Sequence, residues 1–341
     1  MGQQNPRLII KKQPFSAPLP IPFGATAGDC RRQTSKLFEL HPQGDCRDTF
    51  PQLEMSNVDQ FESAFRSAIR PVYEPQSVRL AKILLVTDLS EAETIELERA
   101  LKPYFSRLSV VHDSTSWQHL CQDSVDSTAQ LLEQVEALQP DLICTYRNLN
   151  TNDWRYQKSI GSRLDTLISH ANRPILIIPH PESGHAAEHA LQQSKIVLAI
   201  TDHLSAEQQL IDFAIAFIEP DGELVLTHLE DENDFNRYLD AISKIETIDT
   251  ELATRELAAQ LLKGPKAFVN SCRDRLSTLR PDVTVTDVVR FAPNIDCFRD
   301  LVREKTADLL VLNGYDHREP GIHGLAQVLI NETRQIPTLV I

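Results

Sequence analysis

The sequence predicts an α/β protein made of two doubly wound parallel-sheet domains behind an irregular N-terminal extension, and three observations carry that expectation. Residues 82–91 (KILLVTDLSE) are written a second time as residues 195–205 (KIVLAITDHLS). Each copy is a basic residue, an unbroken apolar run, an Asp and a helix start, and a run without polar alternation suits a strand buried on both faces, as in a parallel sheet covered by helices. Beyond each copy, apolar runs and helical stripes alternate, which is the order of βαβ units.

In chain order, residues 1–80 form the extension: 1–51 is rich in Pro, Gln and Gly, with one basic-flanked apolar patch at Leu8, Ile9 and Ile10, and reads as irregular. Val58, Phe61, Phe65 and Ile69 share one helical face, giving one helix near 57–69 that ends at Pro71 and braces the domain after it. Residues 81–180 are the first, shortened domain. Its Asp88 falls at the carboxyl end of strand one, and Ser90 with Glu93 has the spacing of a capping box. Leu97, Ala100, Leu101 and Tyr104 make a helix stripe, and residues 107–113 (RLSVVHD) the second strand. A helix through Leu131, Val135 and Leu138, a buried strand at 141–146 (DLICTY), a helix through Leu164, Leu167 and Ile168, and a final strand at 174–179 (PILIIP) complete it. Residues 181–194 are a polar linker, in which His185 and His189 read as solvated residues before they read as metal ligands.

Residues 195–341 form the second domain, and its landmarks can be counted. Asp88 and Asp202 are 114 residues apart, His112 and His228 are 116 apart, Asp141 and Asp308 are 167 apart, and Pro174 and Pro337 are 163 apart. The repeat therefore holds at both ends, with about fifty extra residues in the middle of copy two. They include a strand at 283–291 (VTVTDVVRF) and a helix at 294–304, and Gly264–Pro265 is read as a break in the helical region before that strand.

Composition bounds the function. The chain has 341 residues, 41% hydrophobic and 24% charged, an ordinary globular balance that leaves room for two domains. A formal charge of −14 argues against a nucleic-acid groove or an anionic membrane surface as partner. The six cysteines show no CxxC pair or metal-finger spacing and read as reduced thiols. No apolar stretch reaches the roughly 20 residues of a membrane span. The start, MGQQNP, lacks the pattern of a secretory signal, so a cytoplasmic location is expected.

The two copies, each with a VTD- or ITD-like end on strand one, a VVH- or LTH-like second strand, a DLL-type fourth strand and a final PILIIP-type strand, resemble a tandem universal stress protein over residues 82–341. The resemblance implies a five-stranded parallel sheet of order 3-2-1-4-5 in each copy, with a missing third strand in the first, and an internal pseudo-twofold pairing of the copies through their last strands. It also implies ATP, or another adenine nucleotide, at the switch point between strands one and four. The Asp ending strand one then lies by the adenine, and a loop written Gly-x-x-Gly, nine residues, Gly-Ser/Thr carries the phosphates. A phosphate at a helix start beside a switch point is physically sound, because backbone N–H groups converge there.

Carried over residue by residue, copy one keeps Asp88 and the closing Gly161–Ser162, while Asn148 and Thr151 stand at the earlier loop glycines; Arg147 and Lys158 can supply charge to a phosphate in their place. Copy two keeps Asp202, Gly314 as the second loop glycine and Gly324 as the closing one, with Val311 at the first and Leu325 in place of Ser or Thr. Asp316 and Glu319 make that loop acidic unless His317 or Arg318 offsets them. There is no GxSxG elbow, no HExxH and no complete phosphate loop ending in Lys-Ser/Thr. The sequence thus points to a non-catalytic stress-response or regulatory protein binding an adenine nucleotide, with a metal-assisted nucleotide hydrolase and a ligand-free scaffold as the other readings.

Overall fold

The computed structural model describes residues 72–124, 126–151, 159–181, 183–184, 186–201, 208–294, 296–316, 319–322 and 324–341, and only the backbone at 123, 201, 315–316 and 319–322. Residues 1–71 of the extension with the helix near 57–69, Asp202, Lys158, His185 and the pair His317 and Arg318 lie outside the described residues.

The chain is α/β. The first half runs β1 (Leu80–Val86), α1 (Glu91–Phe105), β2 (Val111–Leu120), α2 (Thr128–Leu138), β3 (Leu142–Tyr146), α3 (Ser162–His170) and β4 (Ile175–Ile178). The second runs β5 (Ile196–Thr201), α4 (Gln208–Ala216), β6 (Glu223–Asp231), α5 (Glu232–Ser243), α6 (Thr250–Leu279), β7 (Thr284–Ala292), α7 (Asp296–Glu304), β8 (Leu309–Leu312), the short pair β9 (Tyr315–Asp316) and β10 (Glu319–Ile322), α8 (Gly324–Glu332) and β11 (Thr338–Val340). All the strands except β9 and β10 form one nine-stranded sheet in the order β2-β1-β3-β4-β11-β8-β5-β6-β7. Pairing is parallel throughout except where β4 meets β11 antiparallel, with Leu176 opposite Leu339. Numbered within its own half, the second half reads 3-2-1-4-5 and the first 2-1-4-5, so β7 has no counterpart. The unbroken apolar runs are the central strands: β3, β4, β8 and β11 are buried at every residue. Among the described residues no helix is long and apolar enough to cross a membrane.

Local chemistry explains most element ends. Ser90 caps α1 as expected, its hydroxyl accepting from the Glu93 amide while the Glu93 carboxylate accepts from the Ser90 amide at 3.0 Å. The two Asp residues that open the DLL-type strands do the same work in both halves. Asp141 Oδ2 accepts from the amides of Ala81 and Lys82, each at 2.8 Å, and Asp308 Oδ2 from Lys195 and Ile196 at 2.9 and 2.8 Å. One carboxylate thus satisfies two amides at the start of the neighbouring strand, a demand that buried backbone imposes.

Three expectations are corrected. The second strand of the first half is Val111–Leu120, not 107–113. The Arg107 and Leu108 amides close a turn onto Tyr104 and Phe105, and buried Leu108 and Val110 plug the core beneath it, so the apolar residues are spent before the ladder begins. Leu80 pairs with Val111 but Lys82 with Ser116, leaving 112–115 as a bulge. His112 is consequently exposed and does not match His228: Val86 pairs with Leu120 and Ile200 with Thr227, so the residue equivalent to His228 is Cys121. The helix also does not break at Gly264–Pro265, because α6 runs unbroken for 30 residues with Pro265 inside it. Its buried residues, Phe268, Val269, Cys272 and Leu276, begin only after that proline, so packing of the later turns holds the helix through it.

Residues 72–76 lie on the second half before the chain enters β1. Tyr73 is fully buried, its hydroxyl donating to Asp212 Oδ1 of α4 at 2.7 Å, its amide donating to Ser271 Oγ of α6 at 3.0 Å, and its ring meeting Phe268 edge-on at 6.4 Å. The Gln76 amide donates to the same Asp212 oxygen at 2.9 Å.

Candidate functional site

In the first half the order β2-β1-β3-β4 places the switch point between β1 and β3, and the residues singled out from the sequence gather at the carboxyl ends of those strands. Asp88 follows β1 and is half-buried. One of its carboxylate oxygens accepts from the Tyr146 hydroxyl at the end of β3, the other from the Asn150 amide at 2.5 Å, and the Asp88 amide donates to the Tyr146 hydroxyl oxygen at 3.2 Å. The Tyr146 ring is fully buried and packs edge-on against His180 at 4.7 Å. Asp88 therefore ties the end of strand one to the loop after β3.

That loop is shaped by its asparagines. Asn148 and Asn150 have φ of 59° and 62°, in the left-handed region where Asn is the best tolerated residue after Gly. Gly161, with φ +85°, is the N-cap of α3, and a Cβ there would come within 2.7 Å of Asn148 Cα. Asn148 thus fills the space beside the closing glycine, with its Oδ1 buried and without a partner. The glycine is needed because the loop backbone passes against it. Ser162 opens α3 and is exposed; the first bond of the helix is Asp165 N–H to Gly161 O at 3.0 Å, so the Ser162 amide has no acceptor within the helix. Asp88, Asn148, Gly161 and Ser162 are linked through the 146–150 loop at the ends of β1 and β3, and Arg147 is turned away from them. Its guanidinium is buried and reaches the second half, where Nη2 donates to the Thr333 carbonyl oxygen at 3.0 Å just beyond the end of α8. Burial, reinforced by nearby Arg334, pushes the pKa of that guanidinium down. A cation against the last carbonyls of a helix is favourably placed, and this accounts for Arg147 where it stands.

The second half departs further from the expected loop. Val311 lies inside β8, buried on both sides, so counting back from Gly324 puts the first loop glycine within a strand. Gly314 follows β8 after one residue, Asn313. Its amide donates to the Ile341 carbonyl oxygen at 3.0 Å, and a Cβ there would run into Val340 and approach Ile168 of the first half at 3.4 Å. Gly314 is thus placed at the junction of the halves by close packing. Gly324 begins α8, and β10 before it packs on α3 of the first half. The two halves therefore meet here, Arg147 reaching the end of α8 and β10 packing on α3.

Sequence reasoning missed Tyr146, Asn150 and Thr333. Tyr146 was legible in principle, as a hydroxyl at the end of the strand adjoining the Asp-bearing one; the Asn-x-Asn spacing of 148–150 signals left-handed turn residues. Thr333 had no sequence signal, because its role depends on the β4–β11 pairing.

No protein-family model matches the chain, and no curated protein matches it. Several solved structures are similar. A functionally unknown protein from Pseudomonas aeruginosa PAO1 is 15% identical with a TM-score of 0.42, over 77% of this chain and 92% of that one. A putative universal stress protein from Pseudomonas aeruginosa UCBPP-PA14 is 14% identical with a TM-score of 0.43, over 77% and 93%. A universal stress protein from Archaeoglobus fulgidus DSM 4304 is 12% identical with a TM-score of 0.47, over 76% and 97%. At these identities the likeness concerns fold and carries no activity or ligand over to this chain.

Proposed function

We propose that the chain is a non-catalytic, cytoplasmic regulatory protein of the universal stress type, a tandem of two related halves that binds an adenine nucleotide in the crevice of the first. The observation that carries the reading is the convergence of Asp88, the 146–150 loop and the start of α3 at one switch point. There a carboxylate can accept from the base amino group, and the exposed Ser162 with its amide can donate to phosphate. Nucleotide recovered from the purified protein, together with calorimetry of ATP on the wild type, Asp88→Ala and Ser162→Ala, tests it. Each substitution removes one bond and weakens binding by about five-fold or more, without phosphate release in any of them; unchanged affinity in Asp88→Ala overturns the site.

Two observations favour a second reading, the ligand-free scaffold. Both Asp88 oxygens already have donors and Asn148 fills the space beside Gly161. Under that reading no nucleotide is recovered and ATP gives no heat.

A further inference from the structure

We propose that the turn joining α5 to α6, residues 245–252, is a docking surface for a basic, amphipathic segment of another protein. The inference is independent of nucleotide binding and concerns the extra residues of the second half. Of α5 only Phe235 is buried, against Phe291 at 4.5 Å, and α6 buries nothing before Phe268. The two helices pack on each other and carry their connection clear of the core. On that arm Tyr238, Ile245, Ile248 and Leu252 are 52%, 47%, 41% and 48% exposed, half of the large apolar side chains that stand exposed among the described residues. Large apolar residues gathered on a projecting element mark an interaction surface where singly scattered ones do not.

The charges around the patch indicate its occupant. Glu246, Asp249 and Glu251 interleave with Ile245, Ile248 and Leu252, and no basic residue occurs between Lys244 and Arg255. Two nearby cations are spent on α5, Lys244 on Asp240 at 2.6 Å and Arg237 on Asp234 at 2.9 Å, while Arg255, one turn along α6 from Glu251, makes no ion pair with the three carboxylates. Among the described residues the three carboxylates have no ion-pair partner; Asp249 caps α6 by accepting the Leu252 amide at 3.1 Å. A second copy brings the same acidic tip, on a chain of formal charge −14, and is repelled, as are nucleic acid and anionic lipid. A partner with Lys or Arg flanking an apolar face meets both the apolar residues and the carboxylates.

The test uses the full chain and a synthetic helical peptide of Leu and Lys, at 0.15 M salt so that loose attraction is screened. Hydrogen exchange locates the contact and titration gives affinity. The expected result is protection confined to 238–252, with affinity falling about ten-fold or more in Ile245→Ser/Ile248→Ser and again in Glu246→Gln/Glu251→Gln. Asp249 is left intact because it caps the helix, and all four positions are exposed, so unchanged exchange at Phe268–Leu276 shows that the arm still folds. Protection elsewhere, or wild-type affinity in either variant, overturns the proposal. So does equal binding of a Leu and Glu peptide, or of zwitterionic vesicles. A concentration-dependent dimer abolished by Ile245→Ser/Ile248→Ser assigns the surface to a second copy and overturns it as well.

Discussion

Replacing Tyr73 by Phe keeps the ring against Phe268 and deletes one oxygen, the donor to Asp212 Oδ1 at 2.7 Å. Asp212 is only 4% exposed, and the Gln76 amide is the other donor to that oxygen. A hydrogen bond to a charged group is worth about 1.5–3 kcal/mol, so a loss near 2 kcal/mol, or roughly thirty-fold in the unfolding constant, is expected. The cost depends on pH. Burial holds the Asp212 pKa above the ordinary carboxylate value, against the opposing pull of Gln76 and Tyr73. The group's contribution is therefore fully present below its unfolded pKa and is lost as pH rises through the raised folded one. Without the hydroxyl the folded value rises further, so the variant loses most at neutral pH and less on acidification, where a protonated Asp212 needs no donor. Burial and Asp212 push the Tyr73 phenol far up, so the wild-type donor stays protonated throughout. Urea unfolding followed by circular dichroism at pH 7.5 and pH 4.5, with Asp212→Asn and the double variant, completes the cycle. A Tyr73→Phe cost that is absent, or indifferent both to pH and to Asp212→Asn, refutes the reasoning.

Other positions give equally definite outcomes. Asp308→Ala removes the acceptor of two strand amides and of Gln193 Nε2 in a fully buried site, and costs about 3 kcal/mol or more; half-buried Asp141→Ala costs about half as much, both read by denaturant midpoint. Gly314→Ala drives a Cβ into Val340 and destabilises by about 1–3 kcal/mol, and Val340→Ala in the same chain recovers part of that loss. Burial pushes Cys144 and Cys272 up to about 12, so peptide mapping after iodoacetamide at pH 8 finds Cys121 and Cys297 alkylated before Cys144 and Cys272.

The parallel core was legible because its strands are buried on both faces and so appear as unbroken runs; 142–146, 175–178, 196–201 and 309–312 were found that way. The first half's second strand was not, because VHDSTSWQHL is a polar edge strand with a bulge, and the more apolar residues just before it plug the core. Proline was overvalued at 265, where tertiary packing outweighs one missing amide. In the site, Asp88, Gly161 and Ser162 could be placed by counting from strand ends. Arg147 and Gly314 could not, because Arg147 is held by Thr333 of the opposite half and Gly314 by Val340 and Ile341 at the end of the last strand, through contacts that no local spacing encodes.

The position of β11 has a consequence for the order of events. It is the fifth strand in a row of nine, yet every other strand of that sheet precedes it in the chain. Until 338–340 are in place, β4 and β8 face a gap with apolar ladders, ILII on one side and LLVL on the other, both wholly buried in the finished sheet. Assembly from the ribosome therefore cannot proceed outward from a finished centre: two wings form first and the keystone arrives last. An interrupted synthesis leaves two sticky inner edges exposed, one suited to an antiparallel intruder and the other to a parallel one.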